Sequence, residues 1–349
     1  MRPSRTRGAG IFALLIAATS GVACAGGPAE VASGEVVLYT SMPEAVVDRL
    51  EGVIELRFPD LEGNFWVPLE IDKTSLRVVR GRTADIERLI AEEVAGSGLQ
   101  ADMIWLAEPS PYETYKDIGL LAPYEPPQDA PIPSHLIDPD GFYAAGRIIS
   151  MVVAWNTSLW PGGLDDWPDL HSVESAAFPG PESGAARATI MALMAEYGEA
   201  FFATFAERGG TSVASNGAAR DGVAAGTFEA AAMLDYMARE AKASGSAIDF
   251  AYPASGTVVI PSPIAITATA RNPRAAKAVV DFILSQSGQQ IMVEIGDFYP
   301  VRTDVAPPAG APPLDSITAL DIDWSALVGE IDAIGDYWEG LFGPSAGTG

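Results

Sequence analysis

The sequence predicts an α/β protein with two lobes, each a mainly parallel β-sheet flanked by helices. Short apolar runs alternate with amphipathic helical stretches along the 349 residues, and no internal repeat of fixed period interrupts that alternation. Strands that alternate with helices favour parallel sheets, because each parallel crossover is made by a helix. A length of 349 residues, 48% of them hydrophobic, is enough for about two packed units.

The first 24 residues have the layout of an export signal. Arg2, Arg5 and Arg7 form a positive start, and residues 11–20 form an apolar run. That run is too short to span a bilayer. The only cysteine of the chain, Cys24, follows a group of small residues.

Two processing routes are open at this signal. In the first, residues 21–24 (GVAC) resemble a lipobox and Cys24 becomes a lipidated N-terminus, although the Gly21 position usually carries a larger aliphatic residue. In the second, residues 23–25 are a plain A-x-A cleavage site and a free protein is released. The lone thiol favours the lipoprotein route. Residues 25–34 then act as a flexible tether, and the protein is expected outside the cytoplasm, on the cell surface or in the periplasm.

The charge of the chain excludes some partners. Lys and Arg total 21 against 46 Asp and Glu, a formal net charge of −25. A surface of this sign opposes binding to nucleic acids and adhesion to anionic lipids. We therefore expect no nucleic-acid partner and no membrane contact other than a lipid anchor.

The first third of the chain predicts a β–α–β–α–β order. Strands are predicted over residues 35–40, 65–71 and 101–106, although Pro68 weakens the second. Thr83 is a plausible N-cap for the helix before the third strand. The apolar positions that define the two helices are Val46, Leu50, Val53 and Ile54, then Ile86, Leu89, Ile90 and Val94.

A second α/β region follows a proline-rich crossing. An apolar strand over residues 147–155 opens it, and a strand over residues 257–268 closes it. Helices over residues 184–196 and 200–207 and the segment 227–242 are predicted between these two strands. After the second strand, helices are predicted from 274 to about 294 and from 325 to about 342. The predicted lobes are residues 35–148 with 262–349, and residues 149–261 inserted between them, joined by crossing strands near residues 148 and 262.

Several segments together carry a family resemblance. In chain order they are VVLYTSMPE, VRGRTADIERLIAEE, ADMIWLAEPS, FPGPESGA, DYMAREAKASGS with IDFAYPASGTVVIPSPIAI, RNPRAAKAVVDFILSQSGQQIM, FYPVR and LDIDWSAL. Their order resembles bacterial extracellular solute-binding proteins of family 1, especially ferric-ion-binding periplasmic proteins and their organic-anion-binding relatives. The resemblance covers nearly all of the mature chain. It implies a type 2 periplasmic-binding-protein-like fold, a ligand in the interlobe cleft, and an ABC permease and ATPase as partners. We expect a monomer without a cofactor.

The predicted ligand-binding residues lie where strands end and helices begin. In α/β sheets these loops face the ligand cleft, and helix N-termini present N–H groups that favour anions. Arg80 is a weaker candidate than Arg82 in the RGRT loop. The predicted set is Thr40, Ser41, Arg82, Thr83, Ser183, Gly184, Ala185, Asn216, Asp235 and Tyr236.

The resemblance implies an anion site without the iron ligands. Residues 183–185 (SGA) and Asn216 match the positions that hold the anion in the ferric-ion binders. The family's His position falls near Pro43, and Met237 stands where the second of two tyrosines is expected. Because Fe(III) prefers phenolate and carboxylate oxygens, we expect an organic phosphate or phosphonate and no metal. The alternative is a ferric-iron binder that uses Tyr236 and the loosely matched Glu108.

Signals for catalysis are weak. The GPESG segment displaces its serine by one position from the G-x-S-x-G nucleophile turn, and the two histidines, His135 and His171, are far apart in sequence. We therefore predict that the protein is not an enzyme. Two other classes stay open, a secreted hydrolase that uses Ser183 and a sensory or adhesion lipoprotein without transport partners.

Overall fold

A computed structural model describes residues 34–54 and 74–343 of the chain. The predicted export signal with Cys24, nearly all of the tether and the strand candidate at residues 65–71 lie outside the described residues. The strands are β1 (Gly34–Thr40), β2 (Thr74–Arg80), β3 (Met103–Trp105), β4 (Tyr143–Asn156), β5 (Ala176–Pro179), β6 (Thr211–Val213), β7 (Ala230–Leu234), β8 (Ile248–Ala251) and β9 (Val258–Ile266).

Ten α-helices accompany these strands in the described part of the chain. They are α1 (Glu44–Ile54), α2 (Thr83–Ala95), α3 (Ser110–Asp117), α4 (Gly184–Tyr197), α5 (Ala200–Glu207), α6 (Asn216–Ala224), α7 (Asp235–Ala243), α8 (Pro273–Ile283), α9 (Gln286–Gly296) and α10 (Ile331–Phe342). None of the helices in the described ranges is long and apolar enough to cross a membrane.

All of these strands belong to one sheet with two parallel halves. The strand order is β2-β1-β3-β9-β4-β7-β5-β6, and β8 pairs with β4. We call β2, β1 and β3 the first sheet half, and β7, β5 and β6 the second sheet half; within each half the neighbouring strands are parallel. The antiparallel pair β4–β9 joins the halves. The carboxyl ends of each parallel set therefore lead into helices beside this central pair.

The central strands β4 and β9 connect the two sheet halves, and they pair with each other near the two residues at which the sequence predicts the crossing between lobes. Arg147 is the partner of Ser262 and Ile148 is the partner of Pro261. The register shifts between Ala145 and Arg147, which is a β-bulge at Gly146. Bulges bend a strand and redirect its side chains, and this one lies at the entry to the second sheet half.

The C-terminal helix packs on the second sheet half, although the sequence predicted residues 262–349 as part of the first lobe. Trp338 of α10 contacts Phe178 of β5 and Phe202 of α5, with ring centroids 5.8 and 5.2 Å apart. Its indole N–H donates a hydrogen bond to Ser212 Oγ at 2.8 Å. The long aromatic side chains of α10 find an apolar surface there, a contact between distant segments that helical periodicity does not reveal.

Two local predictions were wrong, and one strand was missed. The helix expected from residue 274 to about 294 is two helices, because the Ser285 hydroxyl accepts the N–H of Gly288 and caps a new helix. The strand over Thr74–Arg80 was not predicted; it pairs in parallel with β1. Thr83 is the first residue of α2, and the N-cap position is Arg82.

Candidate functional site

A cavity of about 460 Å³ lies where helices from both sheet halves begin. Its walls come from the loop after β1, the start of α2, the central strand β4, and the starts of α4, α6 and α7. The lining residues are Ser41, Met42, Pro43, Arg80, Gly81, Arg82, Thr83, Ala107, Arg147, Ile149, Ser183, Gly184, Ala185, Ala214, Ser215, Asn216, Gly217, Leu234, Tyr236 and Met237.

Four helix N-termini meet at this cavity. The first residues of α2 and α4 line it, as do those of α6 and the second and third residues of α7. The first N–H groups of a helix have no partner within the helix, and the helix dipole places positive partial charge at that end. Convergence of four such ends makes the cavity electropositive before any side chain is counted.

The α4 and α6 termini are linked to each other. Asn216 Nδ2 donates a hydrogen bond to Ser183 Oγ at 3.0 Å, and Asn216 is 4% exposed. Asn216 Oδ1 and Ser41 Oγ are buried and have no hydrogen-bond partner in the described part of the chain. Buried polar atoms are normally satisfied, so these two mark positions at which a ligand or water is expected to bind.

Arg147 is the most informative residue of the cavity, and the sequence analysis missed it. It is 3% exposed, and its one side-chain hydrogen bond among the described residues runs from Nε to Ser262 Oγ at 3.3 Å. No carboxylate of the described ranges interacts with its charge. A buried cation without a carboxylate is costly, and burial lowers the pKa of Arg147 to about 10, so the guanidinium stays protonated near neutral pH.

The β-bulge explains how Arg147 reaches the cavity. A Cβ on Gly146 would lie 2.8 Å from the Trp105 indole, which is fully buried. Glycine is therefore required for the chain to pass this ring, and the following residue turns toward the cavity together with Ile149, two positions along the same strand face. The guanidinium lies 4.3 Å above the ring of Phe298.

Tyr236 shares the same aromatic support. Its ring meets Phe298 edge to face, with centroids 5.0 Å apart, and it lines the cavity as predicted. Burial raises the pKa of Tyr236 to about 12, while the nearby charge of Arg147 lowers it. The phenol is therefore protonated at neutral pH and can donate a hydrogen bond to a ligand.

The two arginines of the RGRT loop differ from Arg147 because each has a carboxylate. Arg82 donates to both oxygens of Asp85, at 2.8 and 3.4 Å, and the Arg82 side chain is 37% exposed. Arg80 pairs with Glu44 at 3.1 Å in an exposed contact. Both line the cavity, so they add positive charge at its edge, with part of that charge balanced locally.

Three predicted residues do not line the cavity. The Thr40 hydroxyl is fully buried, donates to the carbonyl of Trp105 at 2.7 Å and accepts the Met42 N–H at 3.1 Å, so it shapes the loop. Asp235 is buried against Arg239 at 3.2 Å, where burial raises its pKa. Glu108 is fully buried beside Arg187 at 2.5 Å. Each of the three lies close to a strand end, as the sequence indicates, but its side chain is engaged by other residues beside the cavity.

The other predicted residues do come together at the cavity. They are Ser41, Arg82, Thr83, Ser183, Gly184, Ala185, Asn216 and Tyr236. A signal for the missed Arg147 was present in the sequence, since it is the only charged residue in the apolar strand YAAGRIISMVVAWN. A lone charge in a buried strand requires a partner, and a ligand is one kind of partner.

The donor set fits a metal ion poorly. No group of three or more His, Cys, Asp or Glu side chains is placed to hold a metal ion within the ranges that the structure describes. Tyr236 is the only phenol that lines the cavity in those ranges, and no described carboxylate lines it. Glu108, the second residue of the iron alternative, is tied to Arg187 and the backbone N–H of Ser110.

The fold is that of two-lobed periplasmic binding proteins. Iron-bound HitA from Pseudomonas aeruginosa superposes with a TM-score of 0.73 and 19% identity, over 88% of this chain and 99% of HitA. AfuA from Actinobacillus pleuropneumoniae, with fructose-6-phosphate bound, gives 0.75 and 20%, over 88% and 98%. The ferric binding protein from Campylobacter jejuni gives 0.70 and 18%, over 88% and 99%. No curated protein matches by sequence.

A protein-family profile places the chain more specifically. The profile described as bacterial extracellular solute-binding protein matches residues 100–328, which include β3 to β9 and most of the cavity wall. This confirms the resemblance seen in the sequence. The chain therefore belongs to the bacterial extracellular solute-binding proteins, the non-enzymatic components that deliver small solutes to the permease of an ABC importer.

Proposed function

We propose that this protein captures a small organic phosphate or phosphonate in the cavity and delivers it to an ABC permease. The observation that carries the proposal is Arg147, a buried guanidinium that lines the cavity and has no carboxylate beside it among the residues that the structure describes. An anionic group of a ligand would supply the missing counter-charge and accept charge-assisted hydrogen bonds. A phosphate or phosphonate offers several oxygens, which suits the several donors that converge here.

The lining of the cavity is positively charged, although the chain as a whole is negatively charged. Three arginines and four helix N-termini face it, and no carboxylate lines it in the described ranges, while the whole chain has a formal net charge of −25. If the composition of the chain alone set the charge of the cavity, the cavity would be acidic. The concentration of positive charge at this one place favours an anionic ligand over a cation or a neutral sugar.

The size of the cavity limits the ligand. About 460 Å³ lies in the range of small-molecule sites. Ile149, Leu234 and Met237 form an apolar part of its lining. We infer that the anionic group binds at the helix N-termini and Arg147, and that a compact organic part contacts these apolar side chains.

Closure of two lobes over the ligand is part of the proposal. We place the lobe boundaries at residues 148–149 and 261–262, where the paired strands β4 and β9 cross, and assign α10 to the inserted lobe because of its packing. A ligand that contacts both lobes stabilises the closed form, because only that form makes both sets of contacts. The permease can then distinguish the loaded protein.

Ferric iron is the alternative ligand. The structures that resemble this chain include iron-bound HitA and fructose-6-phosphate-bound AfuA, so the fold accommodates both kinds of ligand. The contacts of this chain favour the phosphorylated ligand, since Glu108 is engaged away from the cavity and three arginines would oppose a trivalent cation. The hydrolase alternative has no supporting contact among the described residues, where the hydrogen bond to the Ser183 hydroxyl comes from the Asn216 amide and not from a general base.

A thermal-shift panel with matched pairs tests the proposal. The panel contains fructose-6-phosphate and fructose, 2-aminoethylphosphonate and ethanolamine, inorganic phosphate, ferric citrate and citrate. A ligand that binds only the folded state raises the melting temperature, and the stabilisation grows with the logarithm of its concentration over Kd. We expect a shift with a phosphorylated or phosphonate ligand and none with its uncharged or cationic match. A shift with ferric citrate alone would instead assign the protein to iron.

The remaining partners follow from the same proposal. We propose that the protein acts as a monomer, with a permease and an ATPase as protein partners, and that a lipid on Cys24 is its only membrane contact. Intact mass measurement of the protein from membranes distinguishes the routes, because lipidation adds a diacylglyceryl group at Cys24 and plain cleavage does not. A Cys24→Ser variant cannot carry this lipid, so it should lack the diacylglyceryl mass under the lipoprotein route and should fractionate like the parent under the other.

A further inference from the structure

Arg187 makes an ion-pair network that connects the two sheet halves beside the cavity. It lies in the first turn of α4 and is 4% exposed. Nη1 and Nη2 donate to the two oxygens of Glu87 in α2 at 2.8 and 2.6 Å. Nε and Nη2 donate to one oxygen of Glu108 at 3.1 and 2.5 Å, and the other oxygen of Glu108 accepts the Ser110 N–H at 2.7 Å.

The position of Arg187 is unfavourable by every local criterion. A cation in the first turn of a helix is opposed by the helix dipole. Burial opposes the charge as well, because the desolvation cost of a buried ion is large. Only the two carboxylates from the first sheet half offset these costs, and both are more than 75 residues away in sequence, at separations of 100 and 79. Arg187 therefore depends on contact between the two halves.

The same region brings the α2 and α4 N-termini into direct contact. The N–H of Ala84 donates to the carbonyl of Glu182 at 3.3 Å. A Cβ on Gly184 would meet Thr83 Oγ1 at 2.7 Å, so the two helix starts touch. These ends carry positive partial charge and repel one another, and the ion-pair network of Arg187 is the attraction that holds them together when no anion lies between them.

We propose that Arg187 is a positioning residue, an interlobe latch that favours the closed form before the ligand arrives. This inference rests on the proposed function, because it assumes that the two lobes open and close around the cavity. The latch holds the α4 N-terminus against α2, so that Ser183, Gly184 and Ala185 are already in place when an anion enters. Loss of the latch lets the lobes separate and makes the ligand supply the full free energy of closure.

The test measures the distance between the lobes without ligand. Spin labels are attached to cysteines at Glu92 on α2 and Asp221 on α6, both exposed, in a full-length Cys24→Ser background, and the distance is measured by pulsed electron paramagnetic resonance. We expect one short distance in the parent protein. In Arg187→Ala the ratio of short to long distances should fall by roughly tenfold or more, because one partner of a buried pair has been removed.

Two further variants keep the test decisive. Glu87→Gln removes one half-buried partner and retains the size of the side chain, so it reports on the latch if Arg187→Ala fails to fold. Arg77→Ala removes an exposed arginine that pairs with Glu35 within the first sheet half, and it should leave the distances unchanged. The latch is overturned if the parent already shows the long distance, or if the parent, Arg187→Ala and Glu87→Gln show the same distribution.

The distance measurement and the thermal-shift panel together distinguish failure of the latch proposal from failure of the proposed ligand class. Unchanged distances together with a phosphorylated ligand in the thermal-shift panel would reject the latch and retain the proposed function. An opened Arg187→Ala without any anionic ligand in the panel would retain the latch and reject the ligand class. If both hold, the Kd of the bound ligand should rise in Arg187→Ala by about the same factor as the loss of the closed form, since affinity scales with the fraction of competent molecules.

Discussion

Replacement of Arg147 by methionine should abolish tight binding while leaving the protein folded. Arg147→Met removes the charge and keeps most of the buried volume. Burial lowers the Arg147 pKa from its ordinary value to about 10, which corresponds to about 3 kcal/mol of cost for the charge at this place. An anionic ligand recovers that cost, so the variant should bind it about 100-fold more weakly.

The same substitution should act differently on stability. Since no carboxylate of residues 34–54 and 74–343 pairs with the buried charge, an apolar side chain of similar size is expected to leave the free energy of unfolding unchanged or to raise it. The Ser262 hydrogen bond is long at 3.3 Å and contributes little. Loss of the contact with Phe298 opposes this gain by about 1–2 kcal/mol.

Isothermal titration calorimetry and urea denaturation measure the two effects in one variant. Arg77→Met, which removes an exposed arginine far from the cavity lining, is the matched control and should retain the parent Kd. Parent-like affinity in Arg147→Met would refute the assignment of this residue to the anion. A large loss of stability would refute the view that Arg147 lacks a partner in the ligand-free protein.

Three further predictions follow from close contacts and from one half-buried histidine. Gly184→Ala should weaken ligand binding, because its Cβ would meet Thr83 Oγ1 at 2.7 Å; calorimetry should show partial recovery in the double variant with Thr83→Ala. Gly146→Ala should lower the free energy of unfolding by about 1–3 kcal/mol, measured in urea, because the new Cβ would lie 2.8 Å from the Trp105 ring. Burial lowers the pKa of His171 below its ordinary value of 6.5, so the unfolded chain takes up the proton first and stability should fall as the pH drops below about 6.5; His171→Gln should flatten that part of the stability–pH curve.

Matched variants define what would contradict these expectations. Gly340→Ala in α10 has no atom within 4 Å of the new Cβ and should not lower stability; an equal loss in Gly340→Ala and Gly146→Ala would contradict the steric argument. His135→Gln removes the other histidine of the chain. If His135→Gln and His171→Gln change the pH dependence equally, burial of His171 is not the cause. A Gly184→Ala protein with parent affinity would show that the contact with α2 is dispensable.

Local patterns were sufficient for most of the elements. β1, α4, α5 and β9 lie where the apolar periodicity placed them, and the crossing of β4 and β9 near residues 148 and 262 was anticipated. These features depend on short stretches of sequence, because strand and helix periods are set by neighbouring residues. The strand Thr74–Arg80 was missed because only two of its seven residues are fully buried, so alternation is weak there.

The sequence by itself determined the family, the two-lobed α/β fold and most of the helix starts that form the cavity, since these are encoded in ordered motifs and local periodicity. Only the tertiary structure decided which polar groups line the cavity. Buried partners from distant segments engage Thr40 and Glu108, and Arg239 of the same helix engages Asp235. Arg147, by contrast, has no carboxylate beside it in the described part of the chain. For Glu108 and Arg147 the pairing of the charge depends on contacts between residues far apart in the chain, and the pattern along one segment does not identify those partners.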